Sequence, residues 1–269
     1  MEHPDVAAAL DDPSITVVVT RRRDGHVVVV EGGWPEGADV AEAPIVVAPG
    51  VMSVVVDDGD PLPVGEFTDA RTAMFSVAEP EVLLGAIAFG QWRARERFCS
   101  RCAKPLSPAR RPRTLVCPEG HLAFPRIEPA VIMRVVDADD RLLLARQPSW
   151  MEGRFSVLAG FVDPGERLED TVRREVTEEV GSTVRQVDYV TSQPWPFPSS
   201  LMLAFHAVAE TTDIRLDDDE IAEAEWFTRE ELEVAMGTGR VGLPPPLSVA
   251  HKLVSSWFGR PLATWTAGR

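Results

Sequence analysis

Gly160-Phe-Val-Asp-Pro-Gly-Glu166-Arg-Leu-Glu-Asp-Thr-Val-Arg-Arg174-Glu175-Val-Thr-Glu178-Glu179-Val-Gly181 is the stretch on which the reading of this chain turns. Pro164 and Gly165 make a turn. A helix is expected from about Arg167, with Leu168, Val172 and Val176 on one apolar stripe and Gly181 placed to end it. Glu175, Glu178 and Glu179 stand at i, i+3 and i+4, so their carboxylates converge on one helix face. Like charges at that spacing repel and weaken a helix. A hard divalent cation removes the conflict, and Mg²⁺ or Mn²⁺ prefers such oxygen ligands. Spacing alone favours a plainer explanation, a solvated acidic face, so the surroundings of the stretch have to decide.

Working outward, Ala130–Val136 and Arg141–Ala145 form a hairpin pattern across Asp137–Asp140, and Phe155–Ala159 reads as a strand leading to the quoted segment. Beyond it, Val184–Ser192 and Leu201–Ala209 are strands, and Glu230–Met236 and Leu247–Phe258 are helices. Toward the N-terminus, Ile15–Thr20 and His26–Val30 flank an Arg-Asp-Gly turn, and Ile45–Ala48 and Met52–Val56 flank Pro49-Gly50. Glu79–Arg97 has helical spacing, with Val82, Leu83, Ala86, Ile87 and Gly90 recurring on one side. The first 95 residues therefore read as a small α+β domain, and the second half as a mixed sheet covered by helices.

Between these halves lie all three cysteines, Cys99, Cys102 and Cys117, and nine basic residues from Arg93 to Arg126 against two acids. Closely spaced thiols in a reducing compartment argue for metal rather than a disulfide. The basic island stands out because the net charge is -15, a balance that disfavours general affinity for polyanions. Its plainer explanation is a solvated face. A hydrophobic fraction of 45% and a charged fraction of 26% are those of an ordinary globular protein. No apolar run approaches a membrane span and Met1–Leu10 has no signal pattern, so a cytoplasmic location without membrane attachment is expected.

The quoted stretch matches the Nudix box, Gly-x5-Glu-x7-Arg-Glu-U-x-Glu-Glu-x-Gly-U with U aliphatic, at every fixed polar and glycine position. Only the last U departs, as Ser182. The chain thus resembles the Nudix hydrolases. That resemblance implies an α/β fold, an α/β/α sandwich with a mixed sheet, whose box holds catalytic Mg²⁺ or Mn²⁺. It implies that Glu175, Glu178 and Glu179 are ligands and catalytic residues, and that Glu166 and Arg174 pair to brace the loop. A further metal-binding acid carries over to Glu223, within the acid-rich Asp217–Glu225. Water attacking a pyrophosphate meets negative charge, which metal ions offset, and a carboxylate, here Glu178, accepts the proton.

Substrate class follows from a second motif. Ser192-Gln193-Pro194-Trp195-Pro196-Phe197-Pro198-Ser199-Ser200 resembles the Ser-Gln-Pro-Trp-Pro-Phe-Pro-x-Ser array of the NADH pyrophosphatases within the Nudix superfamily. Its prolines stiffen a loop that presents two aromatics at little entropic cost. The resemblance assigns Gln193, Trp195, Phe197 and Ser200 to substrate binding. It adds Phe161 stacking on a base and Phe124 reaching the base from a partner subunit. Family members carry a four-cysteine zinc ribbon; Cys99, Cys102 and Cys117 fit its first three ligands. The fourth cysteine is absent, and His121 is the candidate to complete a Cys₃His site.

Three parts are therefore expected: 1–95, a degenerate Nudix-like domain; 96–125, a zinc-ribbon insert; and 126–269, the catalytic Nudix domain. The family also implies a homodimer. The expected activity is cleavage of NAD(H) to AMP and nicotinamide mononucleotide, extended to removal of NAD caps from RNA 5′ ends. Hydrolysis of ADP-ribose or dinucleoside polyphosphates is the alternative, against which the intact array argues. A non-catalytic NAD-sensing module is a third, against which the complete set of box acids argues.

Overall fold

One strand shows how the second half of the chain is layered. Along β8 (Glu128–Val136), Val131, Met133 and Val135 enter one buried cluster, while Ile132 and Val136 enter another. Successive side chains on a strand point to opposite faces, so a strand apolar on both must be covered on both. The first cluster is completed by Val172, Val176 and Val180 of α3 (Leu168–Val180). The second is completed by Leu232 and Ala235 of α4 (Arg229–Gly237), with Leu253, Val254 and Trp257 of α5 (Val249–Phe258). The result is helix, sheet, helix, as expected.

The computed structural model describes residues 14–31, 45–48, 50–57, 67–75, 80–109, 113–216, 220–260 and 262. The expectations that fall on 1–10, 49, 79, 110–111 and 217–219 lie outside the described residues. By its contacts the chain divides into two units, 1–127 with 195–199, and 128–194 with 200–269.

In the second unit the sheet runs β11 (Val184–Trp195), β12 (Ser200–Ala209), β8, β9 (Leu142–Arg146), β13 (Glu223–Phe227), with β10 (Leu158–Phe161) also on β8. It is mixed: β12 is parallel to β8, whereas β9 and β10 are antiparallel to it. The strand expected at Phe155–Ala159 lies later, at β10. Phe155 and Val157 are core residues, and only Ser156 bridges to Ala145. β11 runs three residues past Ser192, so Gln193, Pro194 and Trp195 end a strand rather than open a loop. A sheet-edge position tolerates Pro194, which has no N–H to donate.

The first unit holds a sheet ordered β2 (Val27–Glu31), β1 (Thr16–Arg21), β4 (Val51–Val56), β3 (Ile45–Ala48). β1 runs parallel to β4 and antiparallel to β2. The unit also has a short helix α1 (Ala70–Phe75), which the sequence did not suggest, and α2 (Pro80–Arg95), whose Leu83, Ala86 and Ile87 are buried. A small antiparallel ribbon follows, of β5 (Ser107–Pro108), β6 (Leu115–Val116) and β7 (Leu122–Ala123).

Candidate active site

Helix α3 owes its position to its three fully buried valines, and its end to Gly181, which takes φ 70° and donates its N–H to the Thr177 carbonyl. Seating that stripe separates the three box acids. Glu175 and Glu179 are 8% and 4% exposed, whereas Glu178 is exposed. Arg174 ties them to the preceding loop. Its Nε and Nη2 donate to the two oxygens of Glu166 at 2.7 and 2.9 Å, and Nη1 donates to Glu175 at 2.8 Å and Glu178 at 2.9 Å. Nη2 also donates to the Phe161 carbonyl at 2.9 Å, joining helix to strand β10. Glu166 accepts further from the Asp163 N–H and the Thr171 hydroxyl. Its bonds to Arg174 first of all hold its carboxyl down, to about 2.

Gly160 completes the arrangement. A Cβ at this position would lie 1.9–2.2 Å from the Glu175 carboxylate, so only glycine leaves room for that group beneath β10. Burial pushes the Glu175 pKa up. Burial, then the charges of Glu175, Glu220 and Glu178, push Glu179 up to about 8. The Oε2 atom of Glu179 is buried without a hydrogen-bond partner among the described residues. An orphaned, desolvated carboxylate oxygen beside a second buried carboxylate is a donor set that suits a hard cation.

Glu223 has a different partner. It sits on β13 directly opposite Arg146, which donates to it from Nε at 2.7 Å and lies within 2.5 Å through Nη2. Glu220, also outside the box, adds its charge to both Glu175 and Glu179. Sequence reasoning passed it over because the acid-rich stretch around it singles out no member.

The array residues fall in both units. Gln193 is buried and both ends of its amide are engaged: Nε2 donates to the Leu247 carbonyl at 2.8 Å, and Oε1 accepts the Val249 N–H at 2.7 Å. That side chain fixes the start of α5, with one Nε2 hydrogen and one Oε1 lone pair left over. Ser200 is buried at the start of β12. Trp195 and Phe197 belong to the first unit, with rings edge to face at 5.0 Å and the Arg71 guanidinium over both. Phe161 and Phe124 are each 53% exposed, Phe161 on β10 one residue after Gly160.

Near the ribbon, Cys99, Cys102, Cys117 and His121 bring their ligand atoms within 4.8 Å of one another. Two turns do this. The Cys99 carbonyl accepts from Ala103, and the Cys117 N–H donates to the His121 carbonyl across Gly120, which has φ 79°. The Sγ atoms of Cys102 and Cys117 are 3.6 Å apart, and Cys99 Sγ is 3.5 Å from His121 Nδ1. Ligands on a tetrahedral zinc with bonds of ~2.0–2.3 Å stand about 3.5–3.8 Å apart, so the four groups fit that ion. The N–H of Arg101, at 3.4 Å from Sγ, leads the contacts that lower the Cys99 thiol to about 6.

Residues 126–246 match the NUDIX domain family. A protein of Mycobacterium bovis (strain BCG / Pasteur 1173P2) described as NAD-capped RNA hydrolase NudC is 45% identical over 187 residues, 66% of this chain and 60% of the relative. The human NAD-capped RNA hydrolase NUDT12 is 41% identical over 180 residues, 62% of this chain and 39% of that protein. The chain thus spans 60% or less of the length of these two relatives. A crystal structure of a NUDIX hydrolase from Nitrosomonas europaea aligns at TM-score 0.49 and 19% identity, covering 61% of this chain and 90% of that one.

Proposed function

We propose, from the NUDIX domain match at residues 126–246, that the chain is a Nudix hydrolase that cleaves the pyrophosphate of NAD(H) to AMP and nicotinamide mononucleotide and removes NAD caps from RNA 5′ ends. The observation that carries the hydrolytic reading is the buried oxygen of Glu179, without a hydrogen-bond partner among the described residues, beside the buried Glu175. Such a pair is costly to ionise without a cation and becomes favourable with one.

In this reading Glu175, Glu178 and Glu179 hold Mg²⁺ or Mn²⁺, and Glu220, rather than Glu223, is the acid that joins them. Ions held there would offset phosphate charge and acidify the attacking water. Arg174 orients Glu178 and Glu175 together, and its clamp on Glu166 keeps the box loop against the helix. Glu178, the exposed member, accepts the proton of the attacking water. Phe161 offers an apolar face for a base next to these acids, and Phe124 serves the same purpose across a homodimer. Cys99, Cys102, Cys117 and His121 hold a structural zinc.

The substrate assignment is supported by the array and by the names of the two relatives. Gln193 and Ser200 act in it as framework, and Trp195 and Phe197 as the aromatic part. The division into a degenerate domain over 1–95, a ribbon over 96–125 and a catalytic domain over 126–269 belongs to the same reading, as does a cytoplasmic location. No helix among the described residues is long and apolar enough to cross a membrane. The test is to incubate the protein with NADH, NAD⁺, ADP-ribose and diadenosine polyphosphates, plus Mg²⁺ or Mn²⁺, and identify products by mass. AMP and nicotinamide mononucleotide from NADH, outpacing products from the others, is the expected result. Preference for ADP-ribose or a dinucleoside polyphosphate would overturn the assignment.

A further inference from the structure

The first unit contains a cavity of about 330 Å³, formed by the turn after β1, the start of α1, the end of α2 and Phe197-Pro198. Its size falls at the lower end of small-molecule sites, ~300–1,000 Å³. Arg71 and Arg95 both line it. Arg71 lies over Trp195 and Phe197 at 5.6 and 5.5 Å, a contact with the ring faces that uses none of its N–H donors on an oxygen acceptor. Arg95 makes two long bonds to neutral acceptors, from Nη1 to the Pro198 carbonyl at 3.2 Å and from Nη2 to Gln91 Oε1 at 3.3 Å.

The carboxylates in the wall are already committed. Asp24 accepts from Arg21 at 2.6 and 3.1 Å and from the His26 N–H at 3.0 Å. Asp69 accepts from the Arg71 and Thr72 N–H groups at the start of α1 and from the Thr72 hydroxyl. Among the described residues no ion pair joins Arg71 or Arg95 to a carboxylate. Two guanidinium groups thus line one cavity on a chain of net charge -15; the Arg71 side chain acts on Asp69 in the same wall by charge alone, and Arg95 makes no ion pair among the described residues. Paired, planar donors of this kind are suited to phosphate. The neighbouring aromatic Phe197, the Gln91 amide and a volume well above that of inorganic phosphate call for a larger, ring-bearing ligand.

We propose that this cavity is a nucleotide-binding site, with the phosphate on Arg71 and Arg95 and the base or ribose against Phe197. The nucleotide is either free or part of an RNA chain. The proposal shares Phe197 with the array of the hydrolytic reading, but its phosphate-binding arginines stand outside that reading.

Calorimetric titration of the full chain, without added Mg²⁺ or Mn²⁺, tests it with three probes: AMP, an uncapped pentaribonucleotide and inorganic phosphate. Wild-type protein should bind AMP or the oligonucleotide, and the Arg71→Gln/Arg95→Gln variant should bind at least about tenfold more weakly. AMP binding as well as the oligonucleotide assigns a free nucleotide; binding of the oligonucleotide alone assigns RNA. Should the double variant fail to fold, Gln91→Glu keeps the bond to Arg95 while adding a negative charge to the wall, and should weaken binding likewise. Unchanged affinity in the folded variants, no binding to wild type, or phosphate binding as tightly as AMP would overturn the proposal. NADH turnover with Mg²⁺, measured in parallel, separates the two readings. Lost turnover with intact nucleotide binding sinks the hydrolytic one alone, and the reverse sinks this one alone.

Discussion

Glu179 shows what one buried carboxylate imposes. Its pKa in the folded chain, about 8, lies above the ordinary 4.5, so the native state holds its proton more tightly than the unfolded state does. For an acid shifted this way, stability is highest below 4.5 and is lost as pH rises toward 8. The slope is at most roughly 1.4 kcal/mol per pH unit. Thermal melts of metal-free protein should therefore drop across that window, Glu179→Gln should flatten the drop, and added Mg²⁺ should raise the melting temperature most at the alkaline end. Glu178 behaves differently because it is exposed. Glu178→Gln keeps shape and removes both the charge and the proposed base, so turnover of NADH should fall at least about a hundredfold while the melt barely moves. More than half the activity surviving would mean that this helix is not the catalytic centre. The spacing in the sequence made the convergence of the three acids legible. It could not show that two of them are buried and one is not, since that depends on how the valine stripe seats against the sheet. Nor could it show that Glu223 pairs with Arg146 on β13 while Glu220 acts on Glu175 and Glu179.

At the level of elements, long periodic stretches were legible and short ones were not. α3, α4, α5 and the paired strands follow from apolar spacing. α1, with six residues, and β13, hidden in an acidic stretch, are fixed by what they dock on rather than by their own pattern. Gln193 is the clearest case of a role that spacing hides. It ties β11 to the first turn of α5, so Gln193→Ala should cost about 2 kcal/mol in a urea melt, because two buried hydrogen bonds are lost at once. The KM for NADH should change little in whatever fraction remains folded. A raised KM with unchanged stability would restore Gln193 to the substrate. The ribbon makes its own prediction. Purified protein should carry about one zinc per chain, and Cys99→Ser should lower both zinc content and melting temperature. His121→Ala should do the same. Full zinc retention in that variant would remove the histidine as fourth ligand.

For the molecule as a whole, charge is the property a long polyanion meets first, and -15 repels it. The basic island offers a counterweight, although not all of it is available. Arg110 and Arg111 lie outside the described residues. Arg113 lies over the Phe89 ring at 5.1 Å and donates to the Val46 and Val47 carbonyls, so reversing its charge would damage the fold. Arg97 and Arg101 are exposed and make the cleaner pair. If capped RNA is a substrate, Arg97→Glu/Arg101→Glu should slow its hydrolysis several-fold, leave NADH nearly untouched, and flatten the salt dependence seen in the wild type. Equal losses on both substrates would indicate misfolding, and no loss on either would show that the island does not serve RNA. The path of the chain carries a separate consequence. Residues 195–199 belong to the first unit although the chain on both sides of them belongs to the second. The polypeptide is laced through the two units, so recombination at a single junction near residue 127 would not transmit either one whole. A gene for the later half alone would encode the aromatic pair and the buried Pro196 without the Arg71 and Arg95 that receive them. A single cut there takes residues 195–199 away from the first unit.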